Sequence, residues 1–158
     1  MRMKSGFAIA MAFAVIACSK KEEPKQADIV ATPSASLVSI KVYKTPTCGC
    51  CKAWVEHLEQ NGFKVEVMDM PDLSSVKDKY GVKPEMQACH TAVVGDYVVE
   101  GHVPADLIMK MVKEKPSIAG LAVPGMPSGS PGMEGGTKER YSVLTFDRAG
   151  RTTVYAER

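Results

Sequence analysis

Along the chain the apolar positions alternate between two spacings. Leu37 to Tyr43 is a short β-rich run, mostly apolar, of the kind that forms a strand covered on both faces. From Cys51 to Asn61 the apolar residues Ala53, Trp54 and Leu58, with Val55 beside them, recur at helical spacing, and Asn61-Gly62 supplies the stop. Phe63 to Met68 reads as a second strand. Asp72 then serves as N-cap for a short helix through Tyr80, closed by Gly81. After a loop over 82–88, Thr91–Val94 and Tyr97–Glu100 form a hairpin turning at Gly95-Asp96. Pro104 opens a helix with Leu107, Ile108, Met111 and Val112 on its apolar face, ending before Pro116.

A β-α-β order implies parallel strands joined by a right-handed crossover, and the full order β-α-β-α-β-β-α is the thioredoxin plan. The fold class is therefore α/β, a thioredoxin-like mixed sheet flanked by helices. Residues 116–136 break the pattern: Gly120-Leu-Ala-Val-Pro-Gly-Met-Pro-Ser-Gly-Ser-Pro-Gly-Met-Glu-Gly-Gly reads as a long irregular Gly/Pro/Met-rich loop, and such loops in compact domains are often functional. Tyr141–Phe146 and Thr152–Ala156 follow as a C-terminal β-hairpin, expected to pair with or beside the main sheet.

The first 36 residues carry a different pattern. Arg2 and Lys4 precede an apolar run from Phe7 to Ala17, too short to span a bilayer and shaped like a secretion signal. The run ends in Val15-Ile16-Ala17-Cys18, which resembles the bacterial lipobox. The expected organisation is thus a lipoprotein-type signal peptide over 1–17, a lipidated Cys18 with a charged Pro/Ser-rich tether over 18–36, and one domain over 37–158. The expected location is the bacterial periplasm, with the membrane reached only through the lipid. Removing residues 1–17 lowers the formal charge from +2 to 0, so nothing argues for nucleic acid. At 45% hydrophobic content the domain can close a modest core without disulfide staples.

The candidate chemistry is concentrated in Cys48-Gly49-Cys50-Cys51, at the junction of the first strand and first helix. Such a junction offers free backbone N–H groups and a positive dipole end, which favour thiolate. Cys48 and Cys51 keep the thioredoxin dithiol spacing, and Cys50 departs from it. In a dithiol enzyme a third neighbouring thiolate offers an unwanted disulfide partner, whereas a thiophilic ion gains from each extra bridging sulfur. Cys50 and Cys51 are adjacent and a bridge between them is strained, so at most one pairing pattern involving Cys89 is comfortable, and three close thiols with one distant one suit a shared metal better than a staple.

Cys89-His90-Thr91 occupies the place where thioredoxin-like folds carry a cis-proline against the active-site cysteines, which brings Cys89 and His90 toward the other three thiols. His90 is a candidate ligand or ligand-orienting residue, against the alternative of a ring that only satisfies a loop carbonyl. His102 is a further candidate, and His57 is expected at the surface. Met126 and Met133 in the Gly/Pro-rich loop are soft candidate ligands for Cu(I), or else a hydrophobic plug over the site. Met68, Met70 and Met86 are expected to be packing residues. Four thiolates would satisfy zinc, but bridging thiolates with thioethers suit a polynuclear Cu(I) cluster better. Iron–sulfur is the weaker option.

Tyr43-Lys-Thr-Pro-Thr-Cys-Gly-Cys-Cys-Lys, Cys89-His-Thr-Ala, Glu100-Gly-His-Val-Pro and the run from Gly120 to Glu134 together resemble the CopG family of periplasmic copper-resistance proteins, over roughly residues 38–157. The resemblance implies a thioredoxin-like fold, with Cys48, Cys50, Cys51 and Cys89 holding a multinuclear copper cluster. It also implies a role in copper tolerance, for which interconversion of Cu(I) and Cu(II), a copper oxidoreductase activity, is a proposed part. The expected partners are copper ions and other envelope copper-resistance proteins. Ligation alone does not separate storage, transfer and electron cycling, so metal binding is a firmer reading than catalysis. Two alternatives stay open: a thiol-disulfide oxidoreductase using Cys48 and Cys51, and a structural zinc site in a binding module.

Overall fold

The computed structural model describes residues 37–158; the signal, Cys18 and the tether lie outside the described residues. Strand β1 (Val38–Lys44) leads into helix α1 (Gly49–Gln60), then β2 (Phe63–Asp69) and α2 (Ser74–Lys79). A single 3-10 turn at Pro84–Met86 precedes β3 (Thr91–Val94), β4 (Tyr97–Glu100) and α3 (Ala105–Glu114). The chain closes with β5 (Gly120–Ala122), β6 (Ser142–Phe146) and β7 (Thr152–Glu157). Among the described residues no helix is long and apolar enough to cross a membrane.

All seven strands form one mixed sheet in the order β2-β1-β3-β4-β5-β6-β7. β1 runs parallel to β2 and antiparallel to β3, as the crossover through α1 requires. Trp54, Val55 and Leu58 of α1 and Leu107, Ile108 and Met111 of α3 share one core with Ile40, Val42, Ala92, Val99 and Leu121 of the sheet. On the other face Tyr80, Val82 and Met86 pack with Val98, Ala122 and Phe146.

Several expectations change. β1 is fully covered on one face only: Ile40, Val42 and Lys44 are buried while Lys41 and Tyr43 are half-buried, because α2 is short and leaves the second face partly open. The cap of α2 is Leu73, although the Asp72 carboxylate still accepts from Ser74 N at 3.3 Å and from Ser74 Oγ at 2.9 Å. Met68 is 40% exposed because β2 is an edge strand, whereas Met86 is in the core as expected. The segment read as one irregular loop contains β5, which pairs parallel to β4 and antiparallel to β6 and so joins the C-terminal hairpin to the sheet. Its first residue, Gly120, hides the strand in the sequence but is required by the packing: a Cβ there would fall 1.9 Å from the Val98 carbonyl oxygen.

The register positions the functional end. Tyr43 pairs with Thr91, Thr91 with Glu100, and Glu100 with Ala122. The segments beyond this row, after β1, before β3, after β4 and after β5, therefore emerge at the same edge of the sheet.

Candidate metal centre

Cys48 caps α1. Its backbone is extended, and its sulfur accepts from Cys51 N at 3.3 Å, so the cysteine motif is itself the start of the helix. The first helical turn places Cys50 Sγ 3.5 Å from Cys48 Sγ, both half-buried, and turns Cys51 fully inward. From the other side the approach to β3 brings up Cys89, with its carbonyl oxygen 3.9 Å from Cys51 Sγ. One ligand atom each from Cys48, Cys50, Cys51 and Cys89 lies within 4.8 Å of the others.

Cys89 belongs to a second group as well. Its sulfur is 3.4 Å from His90 Nδ1 and 3.2 Å from His102 Nε2, and these three residues again fall within a 4.8 Å span. Both imidazoles are completely buried. His102 Nδ1 donates to the Pro131 carbonyl at 2.7 Å, which fixes the tautomer and leaves the Nε2 lone pair facing Cys89. Burial holds both rings below the usual histidine range; for His90 the neighbouring His102 and Lys77 push the same way, and for His102 the Pro131 carbonyl and Glu134 oppose it. Neutral imidazoles are the ligating form. His90 Nε2 is buried with no hydrogen-bond partner, while its ring packs 4.2 Å, centroid to centroid, from Trp54. Burial, reinforced by Cys50, pushes the Cys89 thiol up to about 12, so a metal ion reaching it displaces a proton.

The thiols pair at the thioredoxin dithiol spacing rather than through Cys89. Among the described residues the disulfide joins Cys48 to Cys51, with Cα atoms 5.3 Å apart, and Cys50 and Cys89 are free. One helical turn spans the distance a disulfide needs, whereas Cys89 is committed to the histidines. His57 also differs from the expected surface residue: it is half-buried, and its Nε2 accepts from Ala105 N at 3.1 Å, giving the start of α3 a cap that Pro104 cannot supply. Burial lowers its pKa against the opposing pull of Glu134 and Asp106.

The Gly/Pro/Met loop closes the site. It is bonded to itself through Gly129 N to Met133 O and Met133 N to Ser130 O, both 2.8 Å. At Pro131-Gly132 it touches the site twice, through the His102 bond and through Gly132, whose backbone rests on Cys50 and Trp54 of α1. Met133 follows this contact and is half-buried, while Met126 is 52% exposed.

Sequence reasoning missed the support behind Cys89. Glu100, fully buried, accepts from Ala88 N at 2.7 Å and Thr91 Oγ1 at 2.6 Å, and pairs with the buried Lys77 ammonium, which also donates to Thr91 at 3.1 Å. One carboxylate thus holds both ends of the Ala88–Thr91 segment that carries Cys89 and His90. The available signal was the opposition of Thr91 and Glu100 across a tight hairpin.

The known proteins most informative about this arrangement are two solved structures described as copper resistance protein copG, Form 1 and Form 2. Each is 47% identical to this chain, covers 77% of it and 98% of its own length, and has a TM-score of 0.73. The chain belongs to the CopG family. A family profile described as a protein of unknown function, DUF411, matches residues 86–133, the stretch from Met86 through the histidines to Met133. No curated protein matches. Family membership agrees with the thioredoxin-like α/β architecture expected from the order of elements.

Proposed function

We propose that this chain is an envelope copper-binding protein of copper resistance that holds more than one Cu(I) ion per chain. The observation that carries the reading is the shared position of Cys89: its sulfur completes a four-sulfur group and also faces two neutral, buried imidazoles. Thiolates that bridge, with imidazoles beside them, favour soft and borderline ions and suit several Cu(I) ions better than a single tetrahedral zinc. Met133, next to the Gly132 contact, is a candidate thioether ligand, and Met126 a further candidate at the exposed side of the loop. Copper is cargo or substrate here, exchanged with other envelope copper-resistance proteins, and Cys18 with the tether would hold the domain at the periplasmic membrane surface.

The test is a titration of the reduced full-length protein with Cu(I), without oxygen, against a competing chelator and in the presence of Zn²⁺. The expected result is two or more tightly held coppers per chain, with most binding lost in Cys50→Ser and in Cys89→Ser. Full stoichiometry in both variants, or a single zinc with no copper preference, sinks the reading.

A second reading is supported by the Cys48–Cys51 disulfide, the pair a thiol-disulfide oxidoreductase would use. It requires insulin-type disulfide reduction that survives both Cys50→Ser and copper chelation.

A further inference from the structure

The sheet ends differently at its two edges. β7 carries an irregularity against β6, where Val143 pairs with Ala156 and Leu144 with Val154, and such a bulge discourages pairing with a further strand. β2, at the other edge, has neither bulge nor proline, and its residues run in unbroken register along β1. Met70 N donates to the Lys44 carbonyl at 2.9 Å, so the even-numbered residues of β2 turn their backbone groups toward β1. By strand alternation Phe63, Val65 and Val67 turn theirs outward, where they meet no partner among the described residues.

The side chains of β2 decide what can pair there. Lys64 and Glu66 stand on one face, with Glu66 held by Lys41 at 3.0 Å, while Val65 and the 39% exposed Val67 stand on the other, in register with Ile40 and Val42. A second β2 laid antiparallel about a two-fold axis through Val65 places Lys64 opposite Glu66 twice and Phe63 opposite Val67 twice. Val65 then faces its own copy, and the outward backbone groups of these residues bond across the seam, about six hydrogen bonds in all. Axes at Lys64 or Glu66 set a charge against itself, and an axis at Val67 leaves Lys64 opposite Met70 and Glu66 opposite Met68. Of the registers centred on residues 64–67, the one at Val65 joins opposite charges, which stabilise a sheet where like charges directly opposed weaken it. We propose that β2 is the surface through which two copies of this chain associate, edge to edge, as a two-fold dimer with one continuous sheet. The pairing covers Val67 in both copies. Because the paired strands run in opposite directions, the two metal centres point to opposite ends of the joined sheet. The inference does not depend on what those centres hold.

The experiment uses the full chain carrying Cys18→Ser, in reducing buffer so that no intermolecular disulfide contributes, followed by sedimentation equilibrium over a range of concentrations. The expected result is a reversible monomer–dimer equilibrium. Lys64→Glu and Glu66→Lys each turn both cross-strand pairs into repulsions and are expected to weaken dimerisation about tenfold. An equimolar mixture of the two re-forms opposite charges and is expected to restore it. Val67→Pro, at an exposed position whose N–H points outward, is tolerated by an edge strand and is expected to abolish the dimer. Hydrogen exchange on the chain without substitutions in β2 gives a second measurement: the amides of Phe63, Val65 and Val67 are expected to exchange more slowly as concentration rises, and those of β7 are not. A monomer at every concentration, a dimer unchanged by Lys64→Glu and Glu66→Lys, a mixture no tighter than its components, or concentration-dependent protection outside β2 alone overturns the inference.

Discussion

Gly132→Ala tests how the loop is seated on the metal centre. Gly132 has φ +85°, and an added Cβ would come 2.7 Å from the Cys50 carbonyl oxygen and 2.9 Å from Trp54 N. Both neighbours are backbone atoms of α1, whose inner face is packed through Trp54 and Leu58, so neither yields cheaply. The left-handed backbone costs about 1–2 kcal/mol for alanine. Forcing a methyl group into a filled contact costs about 1–3 kcal/mol more. The sum of about 2–5 kcal/mol, at about 4 °C per kcal/mol for a domain of this size, lowers the unfolding temperature by roughly 8–20 °C. Where lifting the loop is cheaper, the temperature falls less, and the cost appears as protease cleavage between residues 124 and 136. Gly125→Ala is the control: its φ of +70° carries the same backbone penalty, but nothing lies within 4 Å of the added Cβ. The measurements are calorimetry and limited proteolysis on both variants. If Gly132→Ala matches Gly125→Ala in both, the close seating of the loop on α1 is wrong.

Three further outcomes follow from the same geometry. Lys77→Met strands the buried Glu100 carboxylate and should cost about 3–5 kcal/mol in denaturant unfolding. Adding Glu100→Gln, which removes the unpaired charge but keeps an acceptor for Ala88 N, should recover much of that loss; equal instability of single and double variants refutes the pairing argument. His57 is less protonated in the folded chain than in the unfolded one, so its contribution is complete above the ordinary histidine value of 6.5 and is lost as pH falls below it. His90 and His102 act in the same direction, so His57→Gln should make unfolding free energy less steep in pH below that value without flattening it, and an unchanged slope refutes the cap. Trp54 is the single tryptophan and lies 4.2 Å from the His90 ring, so copper loading should alter its fluorescence; emission that stays constant through full loading removes His90 from the site.

The sequence by itself determined the local elements and the chemistry at their ends. The hairpin Thr91–Val94 and Tyr97–Glu100 was readable to the residue because strand alternation and the Gly95-Asp96 turn are properties of neighbouring residues. The apolar faces of α1 and α3 followed from helical spacing, and the cysteine motif was readable because a strand-to-helix junction dictates what its thiols meet. Only the tertiary structure decided the rest. β5 is three residues long with a glycine at its start, and it is a strand only because β4 and β6 lie on either side of it. The half-covered second face of β1, the exposed Met68 at the sheet edge and the His57 cap depend on which element packs where, information that no window of adjacent residues contains. The same holds at the site: His102 is oriented by Pro131, 29 residues later in the chain, and Cys89 is anchored through Glu100 to Lys77, a lysine whose charge taken by itself would keep it in water. A buried charge is stable only when paired, and the pair forms only after the sheet register has aligned Thr91 with Glu100. Of the disulfide, the spacing of Cys48 and Cys51 along one helical turn was legible in the chain, whereas the engagement of Cys89 by the histidines came only with the fold.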